Sequence, residues 1–255
     1  MFRISSIAGV PAGEVVEPDS AEAAAGLLAD AAAAGSAVIP VGGGTHLGIG
    51  NPPVRADVVL STRKLNRVLV YEPADMTLSV EGGATLASVQ STLVEHGQGL
   101  PIEVANPEAA TIGGILAAAL YGPKRLGWGT LRDYLIGISV AYPDGTVGKA
   151  GGLVVKNVSG FDLMRMHHGA LGTLGVIVSA NFKVLPAPRS ERTVLVEGAD
   201  PDMLTTLRTI TMNWRARQPR SRSICAMELP RLPFESTGEI AQLRCWRRSS
   251  PSASL

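Results

Sequence analysis

The first 188 residues carry a legible alternation of helical and strand periods. Pro18-Asp19-Ser20 followed by Ala21 to Ala34 reads as a capped, Ala-rich helix that Gly35 ends. Ala37 to Val41 is a short apolar strand that runs straight into Gly42-Gly43-Gly44-Thr45-His46, and Val58 to Ser61 is another. Val68 to Tyr71 and Met76 to Glu81 flank the turn Glu72-Pro73-Ala74-Asp75 like a hairpin. From Thr85 to His96, Leu86, Val89 and Leu93 recur at helical spacing before Gly97. A Pro-, Gly- and Asn-rich loop from Gly97 to Ala110 leads into a helix of small residues from Thr111 to Leu120. Leu135 to Tyr142 and the run at Thr146-Val147 read as strands joined by Asp144-Gly145, a hairpin signal. Val176 to Leu185 is a last strand, closed by Pro186-Ala187-Pro188. No internal repeat is visible.

Composition changes that picture mainly beyond Pro188. The 255-residue chain has a net charge of +1, which points to neither a nucleic-acid nor a membrane partner. Residues 201–255, however, hold nine Arg against four acidic residues, while every Lys lies at or before Lys183. Arg215 to Leu255 has the composition of a disordered, basic tail. Residues 189–255 are therefore expected to be the remnant of a second domain, with Thr193 to Ile210 as its start and a truncated or frame-shifted end. The two cysteines, Cys225 and Cys245, form no zinc or redox spacing, so a reducing compartment is expected. No apolar stretch has the length of a spanning helix and no signal peptide is evident at Met1 to Val10. The expected location is the cytoplasm, with any membrane association made through partner subunits.

Three segments carry candidate chemistry. In Val41-Gly42-Gly43-Gly44-Thr45-His46 the glycines remove bulk and permit positive φ, so consecutive N–H groups can converge on an anion. In isolation such a triplet is more often a flexible turn. No Gly-Lys-Ser/Thr follows, which excludes a P-loop, and no helix opens at the loop, which excludes a Rossmann unit. Ala110-Thr111-Ile112-Gly113-Gly114 opens the small-residue helix, with Thr111 suited to the N-cap. Gly113 and Gly114 cost roughly 1 kcal/mol each against Ala in a helix. Close approach of a phosphate or a flavin ring would explain them, and so would tight packing on a sheet. The third segment runs from Gly151-Gly152 through Lys156 to Asp162 and on to Gly169–Ile177, where many glycines surround one Lys. It suggests a backbone platform for a flat ligand with a cation at hand, against the ordinary reading of Lys156 as a surface charge.

Taken in order, these segments resemble the FAD-binding (PCMH-type) domain of the vanillyl-alcohol oxidase/p-cresol methylhydroxylase superfamily, and within it the glycolate oxidase FAD-binding subunit and its D-lactate dehydrogenase relatives. The likeness rests on GGGT at Gly42–Thr45, LPIE at Leu100–Glu103 with Pro101 inside it, ATIGG at Ala110–Gly114, GTLRD at Gly129–Asp133, VVKNVSGFD at Val154–Asp162, and GTLGVI at Gly172–Ile177. It implies an α+β fold of two subdomains over residues 1–188 with FAD between them. It further implies that Gly42, Gly43, Gly44, Thr45, Thr111, Gly113 and Gly114 hold the pyrophosphate, with Val41, His46 and Ile112 alongside. Gly129, Thr130, Arg132 and Asp133 would approach the ribityl or flavin region, and Ile177 the adenine end. Some relatives attach the flavin to a His of the first loop. Here Thr45 stands in that place and His46 follows it, so non-covalent FAD is expected.

The implied reaction is oxidation of a small 2-hydroxy acid by an FAD-dependent enzyme, with other subunits of an oxidase complex as partners. The family takes its base and metal-binding histidines largely from a cap domain after the Pro-x-Pro boundary. The four histidines, His46, His96, His167 and His168, all precede that boundary, so neither a catalytic base nor a metal site is assigned. His96 is expected to interact with a helix C-terminus; a place for His167-His168 at the flavin border stays open, against the fact that adjacent residues rarely point at one target. Two other readings stay open: a non-catalytic FAD-holding or electron-relay module that needs a catalytic partner chain, and an NADPH-using reductase of the same superfamily.

Overall fold

A computed structural model describes residues 4–153, 162–188, 190–195, 202–203, 205–206, 208–209 and 242–247. The first strands are β1 (Ser6–Ile7), β2 (Val10–Val16), β3 (Val38–Val41) and β4 (Ala56–Ser61), with helix α1 (Ala21–Ala33) between β2 and β3. Next come β5 (Val68–Glu72), β6 (Thr77–Glu81), α2 (Leu86–Val94), β7 (Gln98–Gly99), α3 (Ile112–Ala117) and α4 (Arg125–Trp128). The remainder are β8 (Leu135–Ala141), β9 (Val147–Gly151), α5 (Leu163–His167), β10 (Val176–Lys183), β11 (Leu185–Pro186), β12 (Ser190–Leu195) and β13 (Gln242–Arg247). The chain divides into two units, Met1–Tyr121 with Thr130–Leu185, and Gly122–Gly129 with Pro186–Leu255.

Two larger sheets of different character dominate the first unit. One has the order β1-β2-β4-β3, with β2, β4 and β3 mutually parallel and β1 antiparallel at the edge. The other has the order β5-β6-β10-β8-β9 and is antiparallel throughout. Helix α1 joins them. Its buried face, Ala24, Ala25 and Leu28, packs with Leu60 of the parallel sheet and with Ala141, Val176 and Val178 of the antiparallel one. Such a two-faced contact requires small side chains on the helix, which is why this segment is so rich in Ala. The far face of the antiparallel sheet is covered by α2 and α3, with Val89, Leu93, Ile112 and Ile115 against Leu78, Val80, Ile138 and Phe182. The α+β class expected from the sequence is the observed one.

Local signals behave as their chemistry dictates. Ser20 caps α1 through the Ala23 N–H, and Thr85 caps α2 through the Ser88 N–H. The β8–β9 turn has Gly145 at φ 83° and Asp144 accepting from the Thr146 N–H. The strand at Val10–Val16 and the length of α3 differ from the sequence reading. Val10–Val16 forms a full strand although no element was expected there, because Pro11 and Gly13 blur its alternation. Gly13 is required: a Cβ would lie 2.0 Å from the Asp57 carbonyl oxygen of the neighbouring strand. Helix α3 spans only Ile112–Ala117, since Ala118 caps it and Ala119 turns to φ 50°.

In the second unit, α4 ends on Gly129 at φ 82°, whose N–H donates to the Arg125 carbonyl. Strands β12 and β13 pair antiparallel, from Ser190↔Arg247 to Leu195↔Gln242. Gln242–Arg247 falls inside the stretch read as a basic tail. Cys225 and the remainder of that tail lie outside the described residues.

Candidate cofactor site

The glycine-rich loop leaves β3 at the carboxyl edge of the parallel strands, the edge at which open α/β sheets bind ligands. Val41 is buried, and Gly42 through His46 are half-buried. Gly42 and Gly43 are demanded by the protein itself. A Cβ on Gly42 would sit 2.0 Å from Thr111 Oγ1, and one on Gly43 would sit 1.7 Å from the Ala109 carbonyl oxygen. Gly44 has φ 73°, a region that favours glycine. The loop is thus pressed against the segment that leads into α3. Among the described residues, none accepts a hydrogen bond from the main-chain N–H groups of Gly42 through His46. A half-buried run of amides without acceptors is a ready cradle for an anion. At its end the Thr45 hydroxyl lies 2.8 Å from His46 Nδ1.

The start of α3 is built differently. The Ile112 N–H donates to the Ala84 carbonyl, the Gly113 N–H to the Gly82 carbonyl, and the Gly114 N–H to Thr111 Oγ1. The donors that a helix usually leaves open are therefore taken up inside the fold. Gly113 has the packing role: a Cβ there would lie 2.9 Å from the Gly82 oxygen and 3.2 Å from the Ile177 oxygen. Thr111 is 3 % exposed and joins both features, capping α3 and touching Gly42. Thr111→Ala should cost about 1 kcal/mol through the lost cap and lower Tm by roughly 2–4 °C, with Thr111→Ser retaining most of it. Thermal melts check this.

One neighbourhood therefore gathers Gly42, Gly43, Thr111, Gly113 and Ile177. It also includes Gly82 and Gly83, which the sequence reading passed over. A Cβ on Gly82 would lie 2.2 Å from the Ile177 oxygen, and one on Gly83 would lie 1.8 Å from the Thr62 oxygen. The signal was present: a second Gly-Gly, two residues before the helix-capping Thr85. Pro101 is buried in the loop before α3.

Other expected residues form separate arrangements. Thr130 and Asp133 make a capping box on the short turn Leu131–Tyr134, with Asp133 Oδ2 accepting from the Thr130 N–H at 2.7 Å. Arg132 pairs with Asp162 through Nη2 and leaves its buried Nε without a partner among the described residues. Burial acts to raise the Asp162 carboxyl, but the Arg165 N–H and the Arg132 guanidinium together hold it below the ordinary carboxylate range. Gly129 belongs to the second unit, and Lys156 lies outside the described residues.

The histidines divide sharply. His96 follows the C-terminus of α2 and lies edge-on to the Tyr71 ring, with centroids 5.3 Å apart. His167 is 2 % exposed with Nε2 2.8 Å from the Tyr142 hydroxyl, and burial pushes its pKa below the ordinary value. Burial also lowers His168, with help from Arg132 and against Asp133. Among the described residues no group of His, Cys, Asp or Glu could hold a metal ion, and no helix is long and apolar enough to cross a membrane.

The family described as FAD binding domain matches residues 12–161, more than half of the chain. The chain belongs to this family. The FAD-binding domain is 31% identical over 158 residues to glycolate oxidase subunit GlcD of Bacillus subtilis, covering 62% of this chain and 34% of that protein. It is 34% identical over 182 residues to D-lactate dehydrogenase of Archaeoglobus fulgidus, covering 71% and 40%. Glycolate oxidase subunit GlcE of Escherichia coli is 36% identical over 132 residues, covering 51% and 38%. The fold matches alkyldihydroxyacetonephosphate synthase with a TM-score of 0.60 and 26% identity, over 70% of this chain and 32% of that one. The matched region thus spans only about a third to two fifths of the length of these relatives. The residues present are compatible with that family, since the Gly42–His46 loop carries main-chain amides that find no acceptor among the described residues.

Proposed function

We propose that this chain is the FAD-binding subunit of a flavin-dependent 2-hydroxy-acid oxidase or dehydrogenase of the glycolate or D-lactate type. The observation that carries the reading is the run of amides at Gly42–His46 that find no acceptor among the described residues, set on the carboxyl edge of the parallel strands in an FAD-binding domain. Those amides orient the diphosphate, and the packed glycines Gly82, Gly83 and Gly113 let the backbone close up beneath it. FAD when bound supplies the two-electron acceptor chemistry; the chain binds and orients it. Attachment is non-covalent, since Thr45 stands where a flavin-linking His would be and His46 is turned to the Thr45 hydroxyl. Substrate oxidation would also require a cation for the substrate carboxylate and a base for its hydroxyl proton.

A second reading is a module that holds FAD or relays electrons and needs a catalytic partner chain. It is favoured by the histidines, since His96 lies edge-on against Tyr71 and His167 is buried against Tyr142. Two of the similar proteins are themselves named as subunits. Anaerobic mixing of the FAD-loaded chain with glycolate and with D-lactate separates the readings. Loss of the flavin absorption band with the chain alone supports the enzyme, and loss only after a partner is added supports the module. A chain that takes up no FAD rejects both.

A further inference from the structure

A second polar pair lies on the same edge of the parallel sheet as the glycine loop. Val16 pairs with Leu60 and Val41 pairs with Ser61, so Glu17, Ser61 and Val41 stand at one level at the ends of neighbouring strands, in the order β2-β4-β3, with Gly42 one residue beyond. Ser61 is 0 % exposed, and its hydroxyl donates to Glu17 Oε1 at 2.9 Å. Glu17 itself is half-buried. Among the described residues its other oxygen accepts no hydrogen bond, and no Lys, Arg or His forms an ion pair with it.

A carboxylate accepts hydrogen bonds and donates none, and it repels phosphate. One held beside an anion cradle must therefore face a part of the ligand that carries donors. Two strand spacings place Glu17 about 10 Å across the sheet from the loop, away from the phosphates but within the length of a nucleotide that continues from them. Doubly wound folds use the same division: glycine-loop amides take the phosphates, and a carboxylate near another strand end takes sugar hydroxyls. Here the parallel strands share that edge although the fold is a different one.

We propose that Glu17, oriented by Ser61, accepts hydrogen bonds from neighbouring hydroxyls of the bound dinucleotide, either the adenosine ribose or the ribityl chain. This rests on the FAD-binding reading above. Ser61 is a positioning residue, and its buried hydroxyl fixes one carboxylate oxygen so that the other is presented outward.

The test measures FAD affinity of the full chain by quenching of flavin fluorescence, with ADP and FMN as competitors. Glu17→Gln keeps the shape and removes the charge, and should weaken FAD by about 10- to 100-fold, the effect of one or two charge-assisted hydrogen bonds. Ser61→Ala should weaken it less, in the same direction, and with the same competitor selectivity. A loss confined to ADP assigns the adenosine ribose, and a loss confined to FMN assigns the ribityl chain. Unchanged affinity for all three ligands overturns the proposal. So does an equal loss for ADP and FMN accompanied by a lowered Tm, which is what a purely structural latch would produce. A wild-type chain that binds no FAD fails at the earlier step and rejects the FAD-binding reading itself.

Discussion

Gly43→Ala is expected to abolish flavin retention while Gly48→Ala leaves it intact. The Cβ of an alanine at position 43 would fall 1.7 Å from the Ala109 carbonyl oxygen, a main-chain atom that cannot rotate away. At Gly48 a Cβ would meet nothing within 4 Å. Relief at position 43 requires the loop and the 109–111 segment to separate, and that separation displaces the amides that would hold the diphosphate. Overpacking of this kind costs about 1–3 kcal/mol, or roughly 2–4 °C of Tm per kcal/mol for a chain of this size. The same displacement should reduce FAD affinity by at least tenfold, because several amides lose alignment at once. Flavin-to-protein absorbance ratios after reconstitution, with thermal melts of both apo variants, check the prediction. A yellow Gly43→Ala protein with wild-type stoichiometry would move the diphosphate away from this loop.

How much of that cradle could be read from residues alone depends on which atoms do the work. Gly42-Gly43-Gly44 could be singled out because three glycines after an apolar strand are rare and their loss of bulk has an obvious use. What they pack against could not, because Ala109 and Thr111 are more than sixty residues away and Ala109 contributes only a carbonyl. Gly113 shows the limit from the other side. Its presence in a helix signalled that something had to come close, with a ligand and a sheet as the two candidates. The structure supplies the second, the Gly82 and Ile177 carbonyl oxygens at the ends of adjacent strands. Glu17 and Ser61 offered no pattern at all: each is an ordinary residue, and only the register of β2, β4 and β3 sets them beside the loop.

The α+β class was legible because its local signals are strong and agree with one another. Ser20, Thr85 and Asp144-Gly145 punctuate the chain through hydrogen bonds that reach only two or three residues. Sheet order is less legible. Strands β2 and β3 both pair with β4, which follows them in sequence, and β10 lies between β6 and β8. These are long-range choices made by packing on α1, α2 and α3. They determine which loops meet, and therefore where the cofactor cradle is built.

His167 should make the fold acid-labile. It is buried against the Tyr142 hydroxyl, and burial lowers its pKa in the folded state. The unfolded chain has an ordinary imidazole with a pKa of about 6.5. Between the folded and unfolded values the unfolded chain binds more protons, so stability rises with pH in that window. The loss therefore begins as pH falls through about 6.5 and continues down to the depressed folded value. Above that window His167 is neutral in both states and contributes no pH dependence. His167→Gln keeps a hydrogen-bonding group for Tyr142 and removes the titration, so its Tm should fall less steeply than wild type between about pH 7 and pH 5. His167→Ala leaves a cavity and an unsatisfied Tyr142 hydroxyl, at a cost of roughly 2–4 kcal/mol even at neutral pH. Parallel Tm profiles for wild type and His167→Gln across that range would show that His167 carries no part of the acid sensitivity, and that protonation is being absorbed elsewhere in the fold.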